Sequence, residues 1–131
     1  MAHQLTIMVV DDDPGARTVA VRMLADAGFD VIEATDGANA LEQLAGEHRV
    51  DAVLTDINMP NLDGWELGRR LRTSQPELPV VYMSGDVALD RDFDLEQSPS
   101  CLGKPFDSGA LVEILSLVCR RRWSRVGFFR H

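Results

Sequence analysis

The chain reads as an α/β protein, a doubly wound, five-stranded parallel sheet with helices on both faces. Three observations predict this. Five apolar runs rich in β-branched residues, at 5–10, 30–34, 51–55, 78–83 and 100–103, alternate with helix-like segments. Three of the runs, LTIMVV, DAVLT and LPVVYM, are nearly continuous rather than alternating, the pattern of strands covered on both faces. The connections are short, which together with the alternation calls for parallel strands joined by right-handed crossovers.

The first strand, 5–10, runs straight into Asp11, Asp12 and Asp13. In the helix that follows, Ala16, Val19, Ala20, Met23, Leu24 and Ala27 form one apolar stripe. Asp13-Pro14 supply its N-cap and first-turn proline, and Gly28 closes it. After the second strand, DVIEA, a helix is expected from about Gly37 to Ala45 with Asp36 as N-cap. The third strand, DAVLT, leads to a helix that begins after Asp63, paired with Glu66 at capping-box spacing, and ends before Pro76. Beyond the fourth strand, residues 86–97 carry five acids and little apolar content, so this segment reads as an irregular helix. The weak fifth strand, SCLG, precedes a last helix that starts after Asp107, with Leu111, Ile114, Leu115 and Val118 on one face.

A chain of 131 residues, 45% hydrophobic and 26% charged, has ordinary globular composition, which excludes disordered, collagen-like and membrane-spanning classes. The N-terminus lacks the basic flank, apolar length and cleavage site of a signal peptide, and Cys101 and Cys119 have neither metal-ligand spacing nor a disulfide framework. A cytoplasmic location follows as the expectation, and the initiating Met1 favours a complete chain. His3, His48 and His131 are scattered and read as surface residues.

Charge is unevenly distributed. Through Cys119 there are 21 acids against eight bases, a net of −13, whereas residues 120–131 hold five arginines and no acid. The division suggests a domain over 1–119 and a basic C-terminal extension over 120–131. The acidic body argues against direct DNA binding. If the last helix continues past Cys119, Trp123 and Val126 fall near its apolar side until Gly127 breaks it; a frayed, solvated end is preferred over docking on an acidic partner or an anionic membrane.

In a parallel sheet of this kind ligands bind outside the carboxyl ends of the strands. The residues just past those ends are Asp11, Asp12 and Asp13, then Asp56, Ser84 and Lys104. Gathered carboxylates repel one another and need a counter-charge, for which oxygen-ligated Mg²⁺ is suited and Mn²⁺ is acceptable. A lysine and a serine hydroxyl are the groups wanted around a phosphoryl oxygen, and a carboxylate can attack phosphorus. Asp13 reads as a helix cap, and Trp65 as partly exposed packing at the start of the third helix.

The stretches VVDDDP (9–14), LTDINMPNLDGWEL (54–67), YMSGD (82–86) and LGKPF (102–106) together resemble the response-regulator receiver domain. The resemblance covers residues 5 to about 119 and implies a flavodoxin-like sheet of order 2-1-3-4-5. It further implies that Asp56 is the phosphoacceptor, taking the group from a histidine kinase or histidine phosphotransfer protein. Asp11, Asp12, Asp56 and the backbone carbonyl of Asn58 would hold Mg²⁺, while Ser84 and Lys104 would contact phosphoryl oxygens. Gly85 would leave access for the donor, Asn58 and Asp86 would tune hydrolysis, and the Lys104-Pro105 bond would be cis. Such a chain is a phosphoacceptor switch with self-catalysed transfer and autodephosphorylation rather than a turnover enzyme. It would signal through protein contacts, with a weak dimer compatible. Where many receivers carry a switching aromatic, this sequence has Cys101, a departure that leaves the coupling of phosphorylation to this position open. The alternatives are a haloacid-dehalogenase-like phosphohydrolase, built on Asp11 and Asp13, and a pseudo-receiver that binds partners without phosphorylation.

Overall fold

The computed structural model describes residues 4–46, 49–85 and 101–125. The segment 86–97, with Asp86, lies outside the described residues, as do His3, His48 and positions 126–131 of the extension. The elements are β1 (Thr6–Val10), α1 (Pro14–Asp26), β2 (Asp30–Ala34), α2 (Gly37–Leu44), β3 (Ala52–Asp56), α3 (Gly64–Ser74), β4 (Val80–Ser84), β5 (Cys101–Gly103) and α4 (Ser108–Arg125). All strand pairs are parallel and the sheet order is β2-β1-β3-β4-β5. The α/β class and the strand order are those expected.

Successive strand residues point to opposite faces, so near-continuous apolar strands feed two cores. Ile7, Val9, Ala52, Leu54, Val81 and Met83 pack under α1 and α4 with Ala20, Leu24, Leu111 and Leu115. Met8, Val10 and Val53 turn the other way, against Ala40 and Leu44 of α2 and Leu67 and Leu71 of α3. Each buried Val, Leu, Ile or Met among them is worth about 2 kcal/mol of transfer free energy.

Helix entries follow local chemistry. Asp13, Asp36, Asp63 and Asp107 accept from the backbone N–H groups of Gly15, Asn39, Glu66 and Ala110 at 3.0, 2.8, 2.9 and 2.7 Å. Gly28, at φ 98°, makes the left-handed turn after α1.

The structure corrects several expectations. Asp56 and Ser84 are the last residues of β3 and β4, paired with Met83 and Gly103, rather than the first residues past them. Val19 is 54% exposed, because the buried face of α1 runs through Ala20, Val21 and Leu24 instead of along the full predicted stripe. The capping box is only half made: Asp63 caps, but the Glu66 carboxylate turns to Arg69 at 2.6 Å and Arg70 at 3.0 Å. The last helix does continue past Cys119, to Arg125. Among the described residues no helix is long and apolar enough to cross a membrane.

Candidate functional site

The carboxyl ends of β1, β3, β4 and β5 lie side by side, and their terminal residues meet. Asp11, just after β1, is buried although charged. Its polar atoms are held from several directions: its N–H donates to Ala34 O at 3.2 Å, and its Oδ1 accepts from Asp13 N–H at 3.0 Å. Asp12 is exposed. Asp56 at the end of β3 is buried, and carboxylate oxygens of Asp11, Asp12 and Asp56 lie within 4.8 Å of one another.

Lys104 enters this cluster from the loop after β5. Its Nζ stands 3.4 Å from both Asp11 Oδ2 and Asp56 Oδ1. At that separation the contacts are electrostatic more than short hydrogen bonds, so the ammonium bridges two carboxylates without gripping either. The backbone sets its approach. Lys104 N–H donates to Ser84 O at 2.7 Å, and the Lys104-Pro105 bond is cis. Ser84 is buried at the end of β4.

Behind Asp56, the chain is clamped against the start of α3. Gly64 N–H donates to Ile57 O at 2.8 Å, and Ile57 N–H donates to Met83 O at 3.1 Å. A Cβ at position 64 would sit 2.3 Å from Asp56 O, so glycine is required by the close approach itself.

Burial raises the Asp56 carboxyl above its ordinary range; Lys104 pulls it down and the neighbouring Asp11 pushes it up. Burial dominates, so this carboxylate is under-compensated as it stands. Three carboxylates face one ammonium group in a donor set made wholly of oxygen, which fits a hard divalent cation and not a thiolate- or imidazole-seeking metal.

Other predicted positions are less closely tied to the cluster. The Asn58 side chain is exposed, and a Cβ at Gly85 would meet no described atom within 4 Å. Asp13 is exposed and occupied in capping α1, which removes the Asp11–Asp13 pairing that a dehalogenase-like plan needs. Cys101 is half-buried, with its thiol pushed up by burial, and pairs across the ladder with Tyr82 of β4.

Sequence reasoning missed two features. One is a tilted aromatic pair, Trp65 of α3 with Tyr82, with ring centroids 4.6 Å apart, ring planes at 40° and the Tyr82 side chain seated where Gly68 leaves room. Both motifs were visible, but strand register was needed to join them. The other is Arg17, whose Nη1 donates to the Asp11 carbonyl at 2.7 Å. Its signal was the oddity of a base near a helix N-terminus, where the macrodipole favours acids.

Comparison with known proteins agrees with this geometry. The family model described as response regulator receiver domain matches residues 7–116. The response regulator receiver protein CpdR of Brucella abortus is 38% identical over 108 residues, covering 81% of this chain and 89% of CpdR. The sensor protein EvgS of Escherichia coli K12 is 38% identical over 118 residues, 88% of this chain, yet the match spans only 10% of EvgS. A sensor protein structure from Polaromonas sp. JS666 superposes with a TM-score of 0.84 at 28% identity, covering 92% of this chain and 99% of that one.

Proposed function

This chain belongs to the response-regulator receiver domain family of two-component signalling, and from that membership and its acidic cluster we propose that Asp56 is the phosphoacceptor of a Mg²⁺-dependent switch. The observation that carries the reading is the convergence of Asp11, Asp12 and Asp56 with Lys104 at 3.4 Å from two of them.

An Asp56 carboxylate oxygen attacks the phosphorus of a phosphohistidine on a histidine kinase or histidine phosphotransfer protein. The new O–P bond makes an acyl phosphate as the P–N bond breaks and the imidazole leaves with its electron pair, taking up a proton. Asp11, Asp12, Asp56 and the Asn58 carbonyl are the groups that would hold Mg²⁺. When bound, the ion supplies charge neutralisation for the incoming phosphoryl oxygens. Lys104, already poised between two carboxylates, transfers its attraction to one phosphoryl oxygen, and the Ser84 hydroxyl donates to another. Asp11 is buried and kept in place by backbone contacts, so the site is organised before the donor arrives. Water attack on the acyl phosphate returns the carboxylate, with Asn58 and Asp86 near enough in sequence to the site to tune that rate.

The domain is assigned to residues 1–119, with 120–131 as a basic extension. Its output is a protein contact made from the cytoplasm rather than direct binding to DNA. Cys101 cannot act as a switching aromatic. The test is intact mass after incubation with acetyl phosphate and Mg²⁺. Wild type should gain one phosphoryl group that is lost at alkaline pH, Asp56→Asn should gain none, and an equal gain in both would refute the assignment.

A further inference from the structure

We infer that Arg17 is a positioning residue for the divalent-cation site, acting through the Asp11–Asp12 peptide; the inference rests on the phosphoacceptor reading above. On local grounds Arg17 is misplaced. The first turns of a helix hold the positive end of its macrodipole, where a cation is unfavourable, and in α1 the acid that offsets it is the N-cap Asp13, with none in the first turn.

The contacts supply the missing reason. Arg17 Nη1 donates to the backbone carbonyl of Asp11 at 2.7 Å, while Nε donates to Glu33 Oε1 of β2 at 3.0 Å. The Arg17 side chain is only 16% exposed, against 51% for Glu33, so the guanidinium is wedged between α1, the end of β1 and β2. Arg17, Ala20 and Leu24 follow one another at helical spacing along the inward face of α1, with Arg17 at the site end. A planar guanidinium making two bonds from different nitrogens holds its partners in a fixed relative geometry, which the rotatable single-nitrogen donor of a lysine does less rigidly.

The Asp11 carbonyl belongs to the same rigid plane as the Asp12 nitrogen and Cα. Anchoring it therefore fixes where the Asp12 side chain leaves the backbone. Of the other Asp11 contacts, those to Ala34 and Lys104 hold the residue, and the bond from Asp13 N–H to Asp11 Oδ1 closes a ring through this same peptide; Arg17 adds a second restraint, made on the carbonyl itself. Two effects of Arg17 then oppose each other. Its charge repels a cation, and its geometry prepares the ligands for one. Groups that orient metal ligands typically contribute about tenfold or more in affinity.

The experiment is calorimetric titration of the full chain with MgCl₂, comparing wild type, Arg17→Met and Arg17→Lys, with the melting temperature of each measured in EDTA. Arg17→Met should weaken Mg²⁺ binding by about tenfold and Arg17→Lys by about threefold, with metal-free melting temperatures close to wild type. Arg17→Lys keeps the charge, so its loss cannot be coulombic. Unchanged or tighter Mg²⁺ binding in Arg17→Met would overturn the inference, as would losses that merely track the metal-free melting temperature. Should Arg17→Met fail to fold, Arg17→Lys decides alone: threefold weaker binding supports the role and unchanged binding refutes it. A wild-type chain that bound no Mg²⁺ would overturn the phosphoacceptor reading and this inference with it, and that result is seen before any substitution is made.

Discussion

Replacing Gly64 with alanine tests the link between packing and chemistry in a single methyl group. The new Cβ would lie 2.3 Å from Asp56 O, 2.8 Å from Ile57 Cα and 3.1 Å from Asp56 C, where ordinary contact begins at 3.4 Å. Both sides are backbone, so no side chain can swing away, and α3 must retreat from β3 by roughly 1 Å. Overpacking of that kind costs about 1–3 kcal/mol. Stretching the 2.8 Å bond from Gly64 N–H to Ile57 O adds about 1 kcal/mol, and the lower unfolded-state entropy of alanine returns up to about 1 kcal/mol. A net loss of about 1–3 kcal/mol corresponds to a melting-temperature drop of roughly 3–12 °C in a domain of this size. Displacing Asp56 by a comparable distance should slow phosphoryl transfer further, by up to about a hundredfold. Thermal melting in EDTA and labelling rates from acetyl phosphate, taken well below the melting point, measure the two effects separately. A melting temperature equal to or above wild type, with an unchanged labelling rate, would refute the reasoning.

Three further outcomes are expected. Because burial holds the folded-state Asp56 carboxyl above its ordinary value of 3.8, its contribution to metal-free stability is fully present below that pH and is lost as pH rises through the folded value. In EDTA the stability advantage of Asp56→Asn over wild type should therefore widen from about pH 4 toward neutrality, and a constant difference would contradict this. Lys104→Met leaves Asp11 and Asp56 facing each other without their shared ammonium. Phosphorylation should fall at least about tenfold, while Mg²⁺, now the counter-charge that replaces the ammonium, should raise the melting temperature more than it does in wild type; a smaller rise would count against the electrostatic account. The raised thiol of Cys101 and the burial of Cys119 should make alkylation of the native chain at pH 7 slower than that of the urea-unfolded chain by at least about tenfold, measured by mass spectrometry.

Much of this molecule is legible before folding because its strands are buried on both faces. LTIMVV and DAVLT announce themselves as continuous apolar runs, and Asp13, Asp36, Asp63 and Asp107 each mark a helix entry with the chemistry of a cap. Those signals are local, so a linear reading finds them. The site was partly legible for a related reason: a parallel sheet sends every strand end to one edge, and Asp11, Asp12, Asp56 and Lys104 converge as that rule requires. What could not be read depends on register and rotation. Val19 fits a helical stripe as well as Ala20 does, and only the direction from which the sheet covers α1 separates them. Glu66 had the spacing to cap α3 in return, but two arginines one turn later compete for its carboxylate. Tyr82 and Trp65 belong to different elements and are joined by the notch at Gly68, while Arg17 acts on a carbonyl, a group with no side-chain signature.

Among the crowded aspartates, Asp56 is the one proposed to take phosphorus. Borohydride reduction of the labelled chain converts an aspartyl phosphate to homoserine, and peptide mapping then reads the acceptor directly. Conversion confined to the peptide containing Asp56, and dependent on Mg²⁺, is the predicted result. Conversion at Asp11 or Asp12, or labelling of the chain with no homoserine at position 56, would contradict it.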